Sequence, residues 1–249
     1  MLLDNKVALV YGAGGRIGGA VARAFAAEGA AVFLAGRTRA RLDRVADDIR
    51  ASGGAAEAAR VDALDEESVD AFVDAVAEQT GRVDISFNLI SYGDVQEPLA
   101  TIAAEDFVRP VVNAVRSHFL TTRAAARHMV KRSSGVILAF GGSGPEAVPG
   151  LGGFVVALDA VEGLRRQWAC ELGPHGIRFV TLKTGGVPES LPADFPGRAE
   201  IVAGIEEATL LRRAATLADV GDVAAFVASD RAGSMTAATV NVSCGALLD

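Results

Sequence analysis

The sequence predicts an α/β fold in which a doubly wound parallel sheet of about seven strands carries helices on both faces. Short apolar or β-branched runs alternate with longer amphipathic runs through the first 140 residues, and a glycine-rich turn joins the first run of each kind. Parallel strands need crossover connections, usually helices, so four such alternations in series imply a doubly wound sheet. Because the chain has 249 residues, 50% of them hydrophobic, we expect a single domain over residues 1–249.

The spacing of the apolar residues places the elements in order. Continuous or alternating runs predict strands at 6–11, 31–35, 57–61, 84–88, 135–140, 177–182 and 239–242. Spacings of three and four, as in Val21, Phe25 and Ala26, predict helices near 17–29, 39–51, 66–79, 104–131 and 152–172. Prolines between 185 and 198 predict a loop that leads into a short helix. We expect a substrate loop near 185–208, because loops at the carboxyl ends of the strands form the ligand crevice.

The composition disfavours several kinds of partner. A formal net charge of −7 without a Lys/Arg-rich block makes nucleic acid an unexpected partner. Cys170 and Cys244 lie far apart in the sequence, so no metal site is predicted and both are expected to be core thiols. No apolar run reaches the roughly 18 residues that span a bilayer, and the start of the chain does not resemble a signal peptide. The sequence therefore predicts no membrane partner and a cytoplasmic location.

A glycine-rich turn follows the first predicted strand and indicates a dinucleotide site of the Rossmann type. Glycines there permit a tight turn, close approach of the backbone to a ligand and close packing of helix on sheet, and the next helix directs its amino terminus at a phosphate. The same residues can also form a strand-to-helix connection without a ligand, but the alternating elements around them favour a nucleotide. The cofactor-binding residues predicted in this turn are Gly12, Gly14, Gly15, Arg16, Ile17 and Gly18.

The end of the second predicted strand bears on the choice of cofactor. A protein that prefers NAD usually has a carboxylate there that binds the ribose hydroxyls, whereas this chain has Gly36 followed by Arg37. A guanidinium at this place can pair with the 2′-phosphate of NADP, with Arg16 as a second contributor. We therefore expect NADP(H) to be favoured, with NAD(H) possible. The alternative is that Arg37 is only a solvated loop cation.

Taken together, these segments resemble the short-chain dehydrogenase/reductase family over nearly the whole chain. Asp62 matches the family's adenine-contacting aspartate, and Asn113 matches its structural and catalytic asparagine. The segments 135–137 and 169–178 look like the family's strand before the catalytic serine and its Ala-x-Glu-Leu to Gly-Ile-Arg stretch. The further cofactor-binding residues that the resemblance implies are Asp62, Ala63, Asn88, Leu89, Ile90, Thr184, Gly185 and Val187.

The resemblance stops at the family's Tyr-x-x-x-Lys pair. The only tyrosines are Tyr11 and Tyr92, and neither has a lysine four residues later. Counting from the matching segments places the family's tyrosine at Phe154 and its lysine at Leu158. The wider spacing of the family's enoyl reductases fails as well, because it places the tyrosine at Leu151. The chain is thus expected to be an atypical member without the usual proton donor.

Three other side chains are candidates for catalysis at the end of the crevice where a substrate would meet the cofactor. The family's serine falls at Gly141 or Gly142, where Ser143 is the nearest hydroxyl, although it can equally be a turn residue. Tyr92 follows the fourth predicted strand and could reach the crevice, or it could be a pocket or loop aromatic. His118 is expected to pack between helices. The predicted catalytic residues are Asn113, Ser143 and Tyr92.

The apolar replacements change the expected chemistry. Positioned general acid catalysis is worth about 100- to 10,000-fold, so carbonyl reduction by the family's usual route should be severely impaired. Phe154 and Leu158, one helical turn apart, would form an apolar wall. The sequence favours an NAD(P)(H)-binding oxidoreductase with a non-standard site that reduces an activated double bond or carbonyl of a small apolar substrate. The alternative is a non-redox protein on the same fold, either an isomerase or cyclase, or an inactive cofactor-binding or partner subunit.

The resemblance also implies a homo-oligomer. Family members commonly pair their two long helices, here 104–131 and 152–172, into homodimers or homotetramers. Ala124, Ala125 and Ala126 would permit close approach of two copies, although the same alanines can equally lie against the sheet.

Overall fold

The centre of the molecule is a sheet of seven parallel strands, seen in a computed structural model that describes residues 1–142 and 149–248. The strands are β1 Val7–Tyr11, β2 Ala31–Gly36, β3 Ala55–Arg60, β4 Ile85–Asn88, β5 Gly135–Phe140, β6 Ile177–Lys183 and β7 Ala238–Asn241. The helices are α1 Arg16–Ala27, α2 Arg39–Ala51, α3 Glu66–Thr80, α4 Ala104–Met129, α5 Gly152–Leu172, α6 Arg198–Ala208 and α7 Leu217–Ala228. The strands lie in the order β3-β2-β1-β4-β5-β6-β7, and all neighbouring pairs are parallel. The predicted doubly wound sheet is confirmed.

Helices cover both faces of the sheet. On one face, α1, α2 and α7 bury a core in which the rings of Phe25 and Phe87 meet edge to face with centroids 6.4 Å apart. On the other, α3, α4 and α5 bury a second core, where Tyr11 and Phe72 meet in the same way at 5.8 Å. Burial on both sides explains why all five residues of β1 are apolar and buried. Across the described residues, no helix combines the length and hydropathy needed to cross a bilayer.

Local sequence signals fix several element ends. The Asp65 carboxylate accepts hydrogen bonds from the backbone N–H groups of Glu67 and Ser68 at the start of α3, and Gly81 ends that helix in the left-handed conformation. The proline-containing segment after β6 is a loop with a short 3₁₀ turn at Pro188–Ser190, followed by α6. The structure therefore confirms the predicted loop and the short helix that follows it, but not their role.

The structure also decides two expectations about burial. The prediction that both cysteines are core thiols was wrong. Cys170 lies on the outward face of α5 and is exposed, and Cys244 lies in a turn after β7 with a left-handed φ of 54° and partial exposure. The alanines of α4 at 124–126 are buried within the core of the second face, which the strands share with α3, α4 and α5.

The strand order positions a ligand crevice. The chain runs outward from β1 to β2 and β3 and then returns to place β4 on the other side of β1. Connections leave β1 and β4 in opposite directions, which opens a crevice at the carboxyl ends of these two strands. The predicted glycine turn follows β1, so the fold brings it to this point.

Candidate active site

A cleft of about 590 Å³ opens at the carboxyl ends of β1 and β4. It runs from the loop after β2, across the glycine turn, to the first turns of α5. The predicted site residues that line it are Gly12, Gly14, Gly15, Arg16, Ile17, Arg37, Asp62, Ala63, Leu89, Ile90, Tyr92 and Asn113. The fold therefore joins most of the predicted cofactor residues and two predicted catalytic residues in one cleft.

The glycine turn allows two backbone segments to touch. Gly12 has a left-handed φ of +73°, and a Cβ built on it would lie 1.8 Å from the Leu89 carbonyl oxygen in the loop after β4. A Cβ on Gly18 would lie 2.4 Å from the Gly12 carbonyl oxygen. Gly18 thus packs α1 beneath the turn and is buried there. Because α1 begins at Arg16, its free backbone N–H groups face the cleft, which suits a phosphate.

Three arginines surround the end of the cleft beside β2. Arg16, Arg37 and Arg41 are exposed at the cleft lining. The Arg16 Nη1 donates to the Glu189 carbonyl oxygen at 3.3 Å, which ties the turn to the loop after β6. Arg41 was missed by the sequence reasoning, although its position four residues after Arg37 on the first turn of a predicted helix was a usable signal. The positive charge at this end of the cleft suits an anionic ligand.

The turn after β3 places one further predicted residue at the cleft. Asp62 follows β3 and is exposed, and its Oδ1 accepts a hydrogen bond from the backbone N–H of Leu64 at 3.0 Å. The Asp62 backbone N–H donates to Ser68 Oγ at 3.1 Å. Both contacts fix the turn after β3 and leave the second carboxylate oxygen of Asp62 available on the exposed side.

The opposite end of the cleft is apolar. Phe154 and Leu158 both line it, one turn apart on α5. The rings of Phe154 and Tyr92 are tilted by 41° with centroids 6.1 Å apart. A Cβ built on Gly141 would lie 3.1 Å from Leu158 Cδ2, so Leu158 packs closely under the strand end. The two positions that counting assigned to the missing tyrosine and lysine thus form the predicted apolar wall.

Asn113 lies between these parts as a support for the backbone. Its Nδ2 donates a hydrogen bond of 2.8 Å to the Tyr92 carbonyl oxygen. This contact joins α4 to the loop after β4, and it fixes the backbone of the one tyrosine that lines the cleft.

Tyr92 has a buried titratable partner. Its hydroxyl lies 3.0 Å from His118 Nε2, and both side chains are almost fully buried. Burial raises the pKa of the Tyr92 phenol. Burial lowers the pKa of His118 to about 4, against an opposing effect of the Glu162 carboxylate on α5. Both groups are therefore neutral at pH 7, and the expectation that His118 packs between helices missed this contact.

The remaining predicted residues do not line the cleft as the structure describes it. Asn88 is buried at the end of β4, where its Oδ1 accepts from Ser86 Oγ at 3.3 Å. Val187 is buried in the core beneath the loop after β6. Thr184 and Gly185 follow β6, where a Cβ on Gly185 would lie 2.5 Å from the Cβ of Ala246. Ser143 lies outside the described residues. The roles of all the predicted site residues, in the cleft lining or outside it, stay predictions.

The doubly wound sheet and the glycine turn at its crevice define a dinucleotide-binding protein. Comparison with known proteins narrows this class. A family model described as "Enoyl-(Acyl carrier protein) reductase" matches residues 12–246. This chain belongs to the short-chain dehydrogenase/reductase family.

Similar proteins of this family are oxidoreductases. The A-factor type gamma-butyrolactone 1′-reductase of Streptomyces virginiae is 30% identical over 98% of this chain and 96% of its own length. The meso-2,3-butanediol dehydrogenase of Serratia marcescens is 31% identical over 99% of this chain and 96% of its own length. A 7α-hydroxysteroid dehydrogenase solved with NADH and 7-oxo glycochenodeoxycholic acid superposes with a TM-score of 0.90 at 28% identity, covering 99% of this chain and 96% of the other. An NAD⁺-bound xylitol dehydrogenase gives a TM-score of 0.87 at 25% identity, covering 97% and 99%.

Proposed function

We propose that this protein is an NADP(H)-linked oxidoreductase with a non-standard active site, acting on an activated double bond or carbonyl of a small apolar substrate. The observation that carries the proposal is one cleft that contains both the glycine turn and the apolar wall of Phe154 and Leu158. A bound reduced nicotinamide would supply hydride to the substrate. The protein's own part is to hold the cofactor, orient the substrate against the apolar wall and supply a proton.

The residues present fit a dinucleotide phosphate. Gly12 and its neighbours leave a cradle that a Cβ would fill, and α1 directs its free N–H groups into it. Arg37 and Arg41 place guanidinium groups beside the end of β2, where a 2′-phosphate would accept charge-assisted hydrogen bonds. Relatives that carry NADH or NAD⁺ in their structures keep NAD(H) as the alternative.

The substrate end favours an apolar molecule. Phe154 offers a ring without a hydroxyl, so the usual proton donor is absent from that position, and the usual route to carbonyl reduction should lose about 100- to 10,000-fold. An activated double bond is a better candidate, because the negative charge that develops on it can be protonated by a donor that lies elsewhere than at position 154. Relatives named for a γ-butyrolactone, a diol and a steroid support a small organic substrate.

We assign residues 185–208 as the substrate loop. Ser190 lines the cleft, and the neighbouring Glu189 carbonyl accepts from Arg16 across it. A Cβ on Gly186 would lie 2.9 Å from Ile205 Cδ1, so the loop packs closely on α6. Phe195 and Ile201 are exposed apolar side chains on the same segment, suited to covering an apolar substrate.

Three residues are proposed for catalysis. Tyr92 is proposed as the proton donor because it lines the cleft next to Phe154. Asn113 is proposed to fix its backbone through the 2.8 Å hydrogen bond to the Tyr92 carbonyl. Ser143 is proposed to orient a carbonyl oxygen of the substrate, on the basis of its place in the sequence after β5.

The first experiment is a titration of the purified protein with NADPH and with NADH, following the fluorescence of the reduced nicotinamide. A charge-assisted hydrogen bond contributes about 1.5–3 kcal/mol, so NADPH is expected to bind at least about 10-fold more tightly. Absence of binding at millimolar concentrations of either cofactor would contradict the oxidoreductase proposal. Tighter binding of NADH would contradict the role given to Arg37.

The second experiment tests the apolar wall. We expect the wild type to reduce an activated enone and to leave simple ketones almost untouched. The double variant Phe154→Tyr with Leu158→Lys is expected to raise ketone reduction by about 100-fold or more, because it adds a phenol and an ammonium. The matched control, Phe154→Leu with Leu158→Met, changes both side chains without a proton donor and should gain nothing. Efficient reduction of simple, unactivated ketones by the wild type would contradict the claim that the apolar wall impairs the usual carbonyl route.

A second candidate function is a non-redox role on the same fold, as an isomerase or cyclase, or as an inactive cofactor-binding or partner subunit. The observation that favours it is the absence of a phenol and an ammonium at positions 154 and 158. It predicts a protein that leaves the oxidation state of NADPH unchanged in the presence of enones and ketones. Absorbance of NADPH at its reduced-nicotinamide band, followed during such an incubation, separates the two candidates.

We also propose a homo-oligomer built on the two long helices. Apolar side chains that are 37–52% exposed follow one face of α4, namely Val108, Val112, Val115 and Phe119. Phe119 stacks on Trp168 of α5 with centroids 5.8 Å apart, so the face extends over both helices. Light scattering after size-exclusion chromatography should show a dimer or tetramer that Val112→Lys shifts toward monomer. Phe226→Lys is the control, because Phe226 is an exposed apolar position on α7, which covers the opposite face of the sheet.

A further inference from the structure

Tyr92 is held at three points of its structure. Asn113 Nδ2 binds its carbonyl oxygen, the Phe154 ring packs against its ring, and His118 Nε2 lies 3.0 Å from its hydroxyl. Tyr92 is 5% exposed and lines the cleft, whereas His118 is 0% exposed. The side chain is therefore fixed between the interior and the reacting end of the cleft.

The surroundings of His118 Nδ1 indicate which group donates the hydrogen bond between the Tyr92 hydroxyl and His118 Nε2. His118 Nδ1 is buried and has no hydrogen-bond partner among residues 1–142 and 149–248. A buried N–H without an acceptor is rarer and less tolerated than a buried acceptor without a donor. The neutral ring should therefore carry its proton on Nε2, and this N–H then donates to the Tyr92 oxygen.

We propose that His118 is a positioning residue that directs the hydroxyl proton of Tyr92 into the cleft, so that Tyr92 donates it to the substrate. The inference deepens the function proposed above and rests on it. Because the phenol oxygen accepts from His118 Nε2–H, its own proton has no partner on that side and turns toward the cleft. The hydrogen bond from His118 Nε2–H also stabilises the phenolate, which opposes the effect of burial that raises the pKa of Tyr92.

The chemical step balances with the cofactor of the proposed function. A bound reduced nicotinamide would supply the hydride, which is two electrons and a proton, to the electrophilic carbon of the substrate, and would leave in its oxidised form. The Tyr92 O–H bond breaks as a bond forms between that proton and the oxygen or carbon that carries the developing negative charge. The phenolate stays hydrogen-bonded to His118 and regains a proton from water in the opened cleft.

The surroundings of His118 keep it neutral for this role. It lies on α4 and faces the loop after β4 through Tyr92, and the carboxylate of Glu162 acts on it from α5. Glu162 is itself paired with Arg165, at 2.7 Å between Oε2 and Nη2, and accepts from Thr239 Oγ1 on β7 at 3.1 Å. These contacts partly offset the negative charge of Glu162, so burial has the larger effect on the pKa of His118 and lowers it.

The main experiment reads the tautomer of His118 directly. The chain has three histidines and two tyrosines, so ¹⁵N-labelled histidine gives few signals, and His118→Gln identifies those of His118. We expect a protonated Nε2 and an unprotonated Nδ1 from pH 6 to pH 9. A proton on Nδ1 would overturn the inference, because His118 would then accept the Tyr92 proton. The measurement uses the protein without cofactor, so its outcome is independent of the titrations that test the proposed function.

Kinetics provide the second test, with NADPH and an α,β-unsaturated ketone. Tyr92→Phe should lower kcat by about 100-fold or more with KM within about twofold. His118→Leu should lower kcat by a smaller factor, and His118→Gln, which can keep an N–H donor, should restore part of it. Tyr11→Phe is the matched control, because Tyr11 is a buried tyrosine outside the cleft lining. Circular dichroism establishes that each variant is folded, and an unchanged kcat in folded Tyr92→Phe would overturn the inference.

Discussion

The two ends of the cleft are built from different kinds of contact. At the glycine end, the contacts are made by the backbone. Gly12 touches the Leu89 carbonyl, Gly18 packs under Gly12, and α1 offers its free N–H groups. At the reacting end, side chains decide the chemistry, and Phe154 and Leu158 present only carbon to the cleft. A backbone contact depends on the absence of a side chain and tolerates few replacements. A side chain that only lines a cavity can change without disturbing the fold.

From this difference we expect that substitutions can alter the proposed cofactor binding and the proposed turnover separately. The conformation of the glycine turn depends on the rest of the fold, because β1, β2 and the loop after β4 are all in contact there. The reacting end depends on a few rotamers on α4 and α5. Substitutions should therefore separate into those that remove the fold and cofactor together and those that change turnover alone.

The largest effect is expected from Gly12→Ala. A Cβ there would lie 1.8 Å from the Leu89 carbonyl oxygen, so the turn after β1 and the loop after β4 would have to separate. We expect a loss of more than about 3 kcal/mol in the free energy of unfolding, in line with the most damaging single substitutions. NADPH binding should be lost as well. Urea denaturation and the fluorescence titration measure the two quantities.

Gly81→Ala is the matched control for this prediction. Gly81 has a φ of +74°, almost the same as the +73° of Gly12, but a Cβ on it would meet nothing within 4 Å. Only the cost of the left-handed backbone should remain, about 1–2 kcal/mol. Equal losses in the two variants would mean that the close approach of Gly12 to Leu89 does not matter, and the contrast between the ends of the cleft would weaken.

The fold was predictable because its signals are local. The fully apolar β1 and the amphipathic α3, with Asp65 at its start, reveal their structure within a window of a few residues. The start of α7 was not predicted, although Thr216 and Asp219 form a capping box there. That signal is also local, because a threonine followed by an acidic residue three positions later is typical of a helix start.

The site was predictable only in part, because its contacts are distant in sequence. The pattern of α4 indicates that His118 faces the interior, yet it cannot tell that the ring meets Tyr92, 26 residues earlier in the chain. That contact depends on how α4 sits against the loop after β4. Counting residues from the matching segments identified Phe154 and Leu158, because both lie on α5, a regular helix. The same counting cannot tell where the side chains of Thr184 and Val187 lie in space, because both residues lie in an irregular loop.

The second prediction concerns the charges that distinguish the two cofactors. Arg37→Ala should weaken NADPH binding by about 10- to 100-fold, the equivalent of one or two charge-assisted hydrogen bonds, and Arg41→Ala should act in the same direction. Binding of NADH should change by less than about twofold, because it has no 2′-phosphate. The titrations described above provide both constants.

Arg39→Ala serves as the control for these charges. Arg39 lies between the other two, but it pairs with Asp43 at 2.7 Å on the surface of α2 and is not part of the cleft lining. It removes the same formal charge without removing a contact to the cofactor. If all three variants weakened NADPH equally, the preference would arise from net charge, and the specific role of Arg37 would be wrong.

Asn113→Ala should produce a smaller effect at the boundary between the two ends. It removes the donor to the Tyr92 carbonyl, so the free energy of unfolding should fall by about 1–2 kcal/mol. The affinity for NADPH should stay within about twofold, because the hydrogen bond of Asn113 supports Tyr92 and not the arginines beside β2, whereas turnover should fall. A loss of NADPH affinity comparable to that of Arg37→Ala would show that the two ends are coupled more strongly than their contacts indicate.

The smallest effect is expected at α7, which supports the glycine end from behind by packing on α1. Asp219 pairs with Arg213 and closes the capping box with Thr216, and these contacts lower its pKa to about 2. A carboxyl whose folded pKa is depressed stabilises the protein above its unfolded pKa of about 3.9 and loses that effect as the pH falls toward 2.

Asp219→Asn should therefore cost about 1 kcal/mol at pH 7 and nearly nothing at pH 2. Asp222→Asn, an exposed change of the same charge on the same helix, is the control, and urea denaturation at several pH values is the measurement. Because neither end of the cleft is touched, NADPH affinity and turnover should both stay at wild-type values, and a change in either would mean that the stability of α1 limits the function of the glycine end.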